Sequence, residues 1–272
     1  MEWRNIYRGF LIGITDLIPG VSGGTIAFIL GIYDRLLLAL SGFFSRDWKK
    51  HLSFLLPLAL GIGTTLLLFS KVIDFLLTDY PKPTGFFFLG LIIGIVPLVS
   101  RQAEIRKNFK IHHFLLLIVV GVALASAAFV NPVESGVITS LTMQNTVGLF
   151  LAGWAGSMAM LLPGVSGSFV LLLLGVYATA INALSTLNFP IIVVIGAGVL
   201  VGFFVSSRAI HYLLHTFKHA MYAIIIGLII GSVFVIYPGI PESGTPFVMS
   251  VIALITGLIV ANIFNAASPS TK

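Results

Sequence analysis

The chain has 272 residues, of which 58% are hydrophobic and only 9% charged, with 15 Lys and Arg against 9 Asp and Glu. Soluble domains carry about a quarter charged residues, so this supply cannot cover a water-facing surface and a soluble globular class is excluded. The absence of Cys excludes disulfides, thiolate chemistry and Cys-ligated metal. The net charge of +6 is read as cytoplasmic loops and anionic lipid contact, with no nucleic-acid partner.

Met1 to Ile18 carries Arg4 and Arg8 ahead of a short apolar run. That run holds Asp16 and lacks a small-x-small cleavage site, so it is expected to belong to the mature protein rather than to a signal peptide. An apolar segment over about 5–17 leads into Ile18-Pro19-Gly20-Val21-Ser22-Gly23-Gly24, and a second over about 25–44 leaves it. Three longer apolar stretches follow at about 52–77, 84–100 and 112–130. The order then repeats: about 146–161, the turn Leu162-Pro163-Gly164-Val165-Ser166-Gly167-Ser168, about 168–185, and stretches at about 190–214, 221–238 and 247–265.

The two series are copies of one unit. The turns match at an offset of 144 residues, as in Pro19 and Pro163, and the match runs on through Gly31-Ile32-Tyr33 and Gly175-Val176-Tyr177. Ser70-Lys71-Val72-Ile73-Asp74-Phe75 aligns with Ser207-Arg208-Ala209-Ile210-His211-Tyr212 at an offset of 137, and Gly90-Leu91-Ile92-Ile93-Gly94 recurs unchanged as Gly227 to Gly231. Three collinear matches do not arise by chance. The chain is therefore expected to be one integrated membrane domain of two repeats, 1–135 and 136–272.

A first segment of 13 residues reaches only ~20 Å at ~1.5 Å per residue, short of a ~30 Å hydrocarbon core, and Pro with paired Gly breaks the helix at its end. The expected unit is a re-entrant helical hairpin, about 5–44 in the first copy and 146–185 in the second, followed by three transmembrane helices. Loop charge agrees. The segments around Arg4 and Arg8, Arg46 to Lys50, Arg101 to Lys110, Lys218 and Lys272 are basic. Those around Asp79 and Lys82, Glu134, Thr186 to Asn188, and Glu242 carry little net positive charge. With both termini cytoplasmic, all the basic segments fall inside. Two full crossings per hairpin give the same parity, so a ten-span version stays open. In both versions a unit crosses an odd number of times, which inverts the second copy; inverted repeats with broken helices mark secondary transporters. The fold class is thus all-α and polytopic, with two inverted repeats.

The turns hold the most specific chemistry. Ser22, Gly23, Gly24 and Thr25, like Ser166, Gly167 and Ser168, begin an outgoing helix whose first N–H groups lack helical partners and carry the positive dipole end. Small side chains let a phosphate, sulfate or carboxylate approach that backbone, and the hydroxyls add donors. Tight turns that only let helices pack closely are the alternative use. Lys71 and Arg208 lie inside long apolar stretches at equivalent positions. Such cations mark an anion path or snorkel to the interface. By inversion Lys71 lies toward the outer face and Arg208 toward the inner. Asp74 and His211, three residues further on, offer local pairing. Asp16, whose repeat equivalent is Met160, can take a coupling H⁺ or Na⁺, or pair with Arg35 or Lys71. Asp34-Arg35 is a candidate internal salt bridge. Glu134 and Glu242 are read as solvated loop residues. His112-His113 is read as headgroup contact, and no metal or other cofactor is expected.

The run Asp16-Leu17-Ile18-Pro19-Gly20-Val21-Ser22-Gly23-Gly24-Thr25, with Gly31-Ile32-Tyr33-Asp34 and the duplicated Gly-Leu-Ile-Ile-Gly segments, resembles the bacterial PopT-type polyprenyl-phosphate transporters, formerly a domain of unknown function. The resemblance spans essentially the whole chain. It implies a non-enzymatic flippase in the plasma membrane that returns undecaprenyl phosphate from the outer to the inner leaflet, recycling the lipid carrier of cell-envelope synthesis. It also implies that the headgroup meets both turns, with ion coupling and oligomerisation left open. A small-anion exporter or channel is one rival. The other is an undecaprenyl-pyrophosphate phosphatase-like enzyme. Resemblance to those enzymes would require acids before the first turn and an Arg beside the second Ser. This chain has only Asp16 before the first turn and no Arg in Val165-Ser166-Gly167-Ser168, so a phosphoryl transition state would lack its main charge stabiliser.

Overall fold

A computed structural model describes residues 1–16, 22–130 and 136–267, without the side chains of Ser70 and of residues 264–267. Leu17 to Val21 of the first turn, Glu134 and Lys272 lie outside the described residues. The first half holds α1 (Asn5–Asp16), α2 (Gly23–Ile29), α3 (Tyr33–Ser41), α4 (Trp48–Asp79), α5 (Pro81–Gln102), the single turn α6 (Ile105–Asn108) and α7 (Ile111–Ala127). The second holds α8 (Met143–Leu161), α9 (Gly167–Leu173), α10 (Tyr177–Ser185), α11 (Phe189–Thr216), α12 (Lys218–Ile236) and α13 (Thr245–Ala267). Among the described residues every regular element is helical.

Five helices, α4, α5, α11, α12 and α13, are long and apolar enough to cross a bilayer, as a multi-pass membrane protein requires. The third stretch of the first copy is shorter than the sequence suggests. α7 has 17 residues, about 25 Å and at the lower limit for a span.

The outgoing arm of each hairpin differs from the single helix expected over 25–44 and 168–185. It is two short helices, and α10 is bent from α9 by 111°. The cause is a Schellman motif in each copy. Gly31 has φ 66° and Gly175 φ 70°, a left-handed conformation that an L side chain resists. The Gly31 and Ile32 amides donate back to the Phe28 and Ala27 carbonyls, and the Gly175 and Val176 amides to those of Leu172 and Leu171. The arm therefore ends its first helix after seven residues and turns.

Glycine lets the long helices pair closely. α1 packs on α4 and α8 on α11 within their own halves, whereas α5 packs on α13 and α12 on α7 across the halves. A Cβ at Gly61 would lie 2.1 Å from the Ile6 carbonyl oxygen, and one at Gly198 2.0 Å from that of Phe150. A Cβ at Gly90 would lie 2.2 Å from the Leu254 carbonyl oxygen, and one at Gly231 2.7 Å from that of Gly121. The repeated Gly-Leu-Ile-Ile-Gly segments are thus notches for two equivalent seams, the membrane use of small residues four apart. Gly90→Leu is expected to cost at least about 1–3 kcal/mol through overpacking against backbone that cannot yield. The loss is read as a falling fraction of monodisperse protein on size exclusion in detergent, beside an unaffected Gly63→Leu, whose Cβ meets nothing within 4 Å.

Contacts between loops join segments of like predicted side. Lys218 bonds Glu104 at 3.2 Å, both in the basic group; Arg35, on α3, pairs with Glu2 of the basic N-terminal segment. Lys82 approaches Glu242 at 3.9 Å, and the Asn188 amide donates to the Thr139 carbonyl at 2.9 Å, all in the other group. The Lys218 hydrogen bond, reinforced by its charge, holds the exposed Glu104 carboxyl below the usual carboxylate range.

Candidate functional site

The two hairpin tips meet. The Ser22 hydroxyl accepts from the Gly24 amide at 3.2 Å and donates to the Leu162 carbonyl at 2.9 Å, with that of Met160 at 3.3 Å as the longer alternative. The Thr25 hydroxyl accepts from the Gly164 amide at 2.8 Å. Glycine permits this approach, because a Cβ on Gly24 would stand 2.9 Å from the Leu161 carbonyl oxygen. Gly164 itself has φ 89° and rests on α12, where its Cβ would fall 2.7 Å from the Leu228 carbonyl carbon. These links span about half the chain, and no local sequence signal announces them. Only the repeat of the turn hints that the tips are partners.

The tips differ in how their helix-start amides are used. At the first, the Gly23 amide donates to the Asp16 carboxylate at 3.0 Å, the Gly24 amide to Ser22, and the Thr25 amide to the Ser22 carbonyl. Its donors are filled from within. Asp16 therefore pairs with backbone, and neither with Arg35, which is on Glu2 rather than Asp34, nor with Lys71. At the second tip Ser166 makes no side-chain cap; its hydroxyl lies 2.7 Å from that of Ser168. Among the described residues nothing accepts from the Gly167, Ser168 and Phe169 amides. Gly23 and Gly167 are equivalent, and so are the side chains against them. A Cβ on Gly23 would meet Asp16 Oδ1 at 2.6 Å, and one on Gly167 would meet Met160 Cγ at 2.6 Å. Where the first tip has a carboxylate, the second has a thioether, a weak acceptor.

Among the described residues, none of the remaining candidates bonds to a tip residue. Arg208 is exposed and donates to the Ser41 carbonyl at the end of α3, 3.3 Å away, a favourable use of a cation at a helix C-terminus. Lys71 and Asp74 are exposed on α4, and no ion pair joins them. The His211 ring stands 4.5 Å from that of His215. His113 contacts His112 and His219. Among the described residues no three His, Asp or Glu converge as a metal would need.

An apolar groove of about 350 Å³ runs along the α5–α12 seam, lined by Ile93, Val96, Pro97, Ile230, Val233 and Phe234. The lining is three repeat-related pairs at the offset of 137, so the groove lies on the relation between the copies. Gly164 packs on Leu228 and Ile229, one residue from this lining.

Crossing helices, buried glycine tips and a second tip with open donors define a multi-pass membrane protein built around an internal polar turn pair. The chain belongs to the undecaprenyl phosphate translocase-like family, whose model matches residues 12–246. It is 40% identical over 268 residues to a polyprenyl-phosphate transporter of Staphylococcus aureus, covering 96% of this chain and 95% of the relative. It is 33% identical over 263 residues to one of Vibrio cholerae, covering 88% and 79%. No solved structure matches.

Proposed function

We propose that this chain carries polyprenyl phosphate across the plasma membrane, from the outer to the inner leaflet, as two inverted repeats whose re-entrant hairpins meet at the binding site. The observation that carries the reading is the exchange of Asp16 for Met160. The same helix start takes an internal carboxylate at one tip and is left without an anion at the other, so the second tip is the seat for the phosphate. Gly167 and Ser168 amides, with the Ser166 and Ser168 hydroxyls, bind its oxygens as charge-assisted donors. The apolar groove on the α5–α12 seam gives the prenyl chain a path to lipid. The reading of the relatives as polyprenyl-phosphate transporters points the same way.

Asp16 is the coupling group of this reading. Protonated, it releases its charge from the first tip, which then shares the phosphate. Arg208 and Lys71 serve the path on the inner and outer sides. The test is a proteoliposome flip assay with undecaprenyl phosphate, run with and without a proton or sodium gradient and with inorganic phosphate as competitor. Ser166→Ala with Ser168→Ala removes two donors to a charged ligand, each worth about 1.5–3 kcal/mol, so affinity should fall by at least ~100-fold. Unchanged flipping in that variant would refute the seat.

A further inference from the structure

The repeat is symmetric in sequence, but its contacts are not, and the difference singles out one pair of surfaces. α3 packs on both α4 and α11, while its counterpart α10 packs on α11 and shares no comparable seam with α4. All of α2 is buried, whereas in α9 only Gly167 is. On the closed side Arg208 holds the Ser41 carbonyl. Phe204 stacks on Phe43 at 5.6 Å and meets Phe44 edge-on at 4.5 Å.

The offsets convert each of these residues into its counterpart. Ser41 becomes Ser185, Phe43 becomes Leu187, Phe204 becomes Leu67 and Arg208 becomes Lys71. Every counterpart is exposed: Leu67 is 83% and Leu187 64% accessible, and Ser185 and Lys71 face outward as well. The chemistry is retained, with a cation to cap a helix C-terminus and a large apolar side chain to meet another just beyond it. In this structure, among the described residues, the counterparts share no seam.

We propose that these are two halves of one latch, closed alternately: Arg208–Ser41 with Phe204–Phe43 on the α3–α11 side, and Lys71–Ser185 with Leu67–Leu187 on the α4–α10 side. Lys71 and Arg208 are then positioning residues that hold one or the other access closed. In the orientation given by loop charge, the α3 end faces the cytoplasm, so this conformer is shut inward and open outward. The inference rests on the inverted-repeat transporter reading. A protein with two such states moves its ligand only if it can visit both.

The chain has no Cys, which makes the test direct. Phe43→Cys with Phe204→Cys, and separately Leu67→Cys with Leu187→Cys, are treated in proteoliposomes with a short thiol-to-thiol reagent. Both pairs are expected to cross-link, each lock lowering undecaprenyl-phosphate flipping at least about tenfold, with recovery when a reducible reagent is cleaved. Lys71→Cys with Ser185→Cys reports the same second closure should the Leu67 pair express poorly. Cross-linking of the Phe43 pair alone, with neither α4–α10 pair reacting, overturns the proposal. If both sides cross-link but undecaprenyl phosphate does not move in the unmodified protein, the latch stands and the substrate reading fails.

Discussion

Gly164→Ala is expected to abolish flipping and to remove most of the folded protein from detergent extracts. Three costs coincide at this residue. A φ of 89° is strained for any L residue, by about 1–2 kcal/mol. The added Cβ would stand 2.7 Å from the Leu228 carbonyl carbon and 2.8 Å from the Ile229 nitrogen, and these are backbone atoms of a membrane-spanning helix. Any shift that relieves the clash pulls the Gly164 amide from the Thr25 hydroxyl, 2.8 Å away, and a buried donor left unmade costs about 1–3 kcal/mol. The sum is a large share of the ~5–15 kcal/mol that holds a typical fold. Gly148→Ala, on α8 where a Cβ meets nothing within 4 Å, is the control and should leave yield unchanged. Normal yield and flipping from Gly164→Ala would show that the tip does not rest on α12.

Met160→Asp is expected to leave the protein folded and to remove phosphate binding. The substitution gives the second tip the residue that the first already holds. The new carboxylate has a ready partner in the Gly167 amide, as Asp16 has in that of Gly23 at 3.0 Å, so its cost in the membrane is offset locally. It also fills the seat proposed for the phosphate with like charge. Binding of undecaprenyl phosphate should weaken at least ~100-fold, about 2.7 kcal/mol, while thermal stability in detergent stays close to that of the parent. Met160→Leu separates charge from shape and should bind normally. Full binding by Met160→Asp would move the headgroup away from the second tip.

Much of the architecture could be read from the sequence because it is written twice. The apolar stretches at 52–77, 190–214 and 221–238 fall within α4 and α11 and nearly coincide with α12, since long apolar runs and helix ends at Pro or polar residues are local signals. The bends at Gly31 and Gly175 were equally local. They do not stand out because each glycine sits directly between apolar residues, Leu30-Gly31-Ile32 and Leu174-Gly175-Val176, which read as one stretch. The interior of the tips was not legible, for a different reason. Ser22 meets Leu162 and Thr25 meets Gly164 across nearly 140 residues, and a hydroxyl in the sequence does not declare whether a carbonyl or a ligand will take it. Lys71 and Arg208 look alike in the alignment for the same reason that they differ in space: a sequence repeat describes both states of the latch, and one conformer holds only one.

The crosswise seams set the order in which the protein can be finished. Once α5 has left the ribosome its glycine face has no partner until α13 is in the bilayer, because α13 covers Gly90 and Gly94. Without α13 that stripe is bare to lipid. The first half is thus clasped by a helix of the second, and the glycine face of α5 is covered only once α13 is in place.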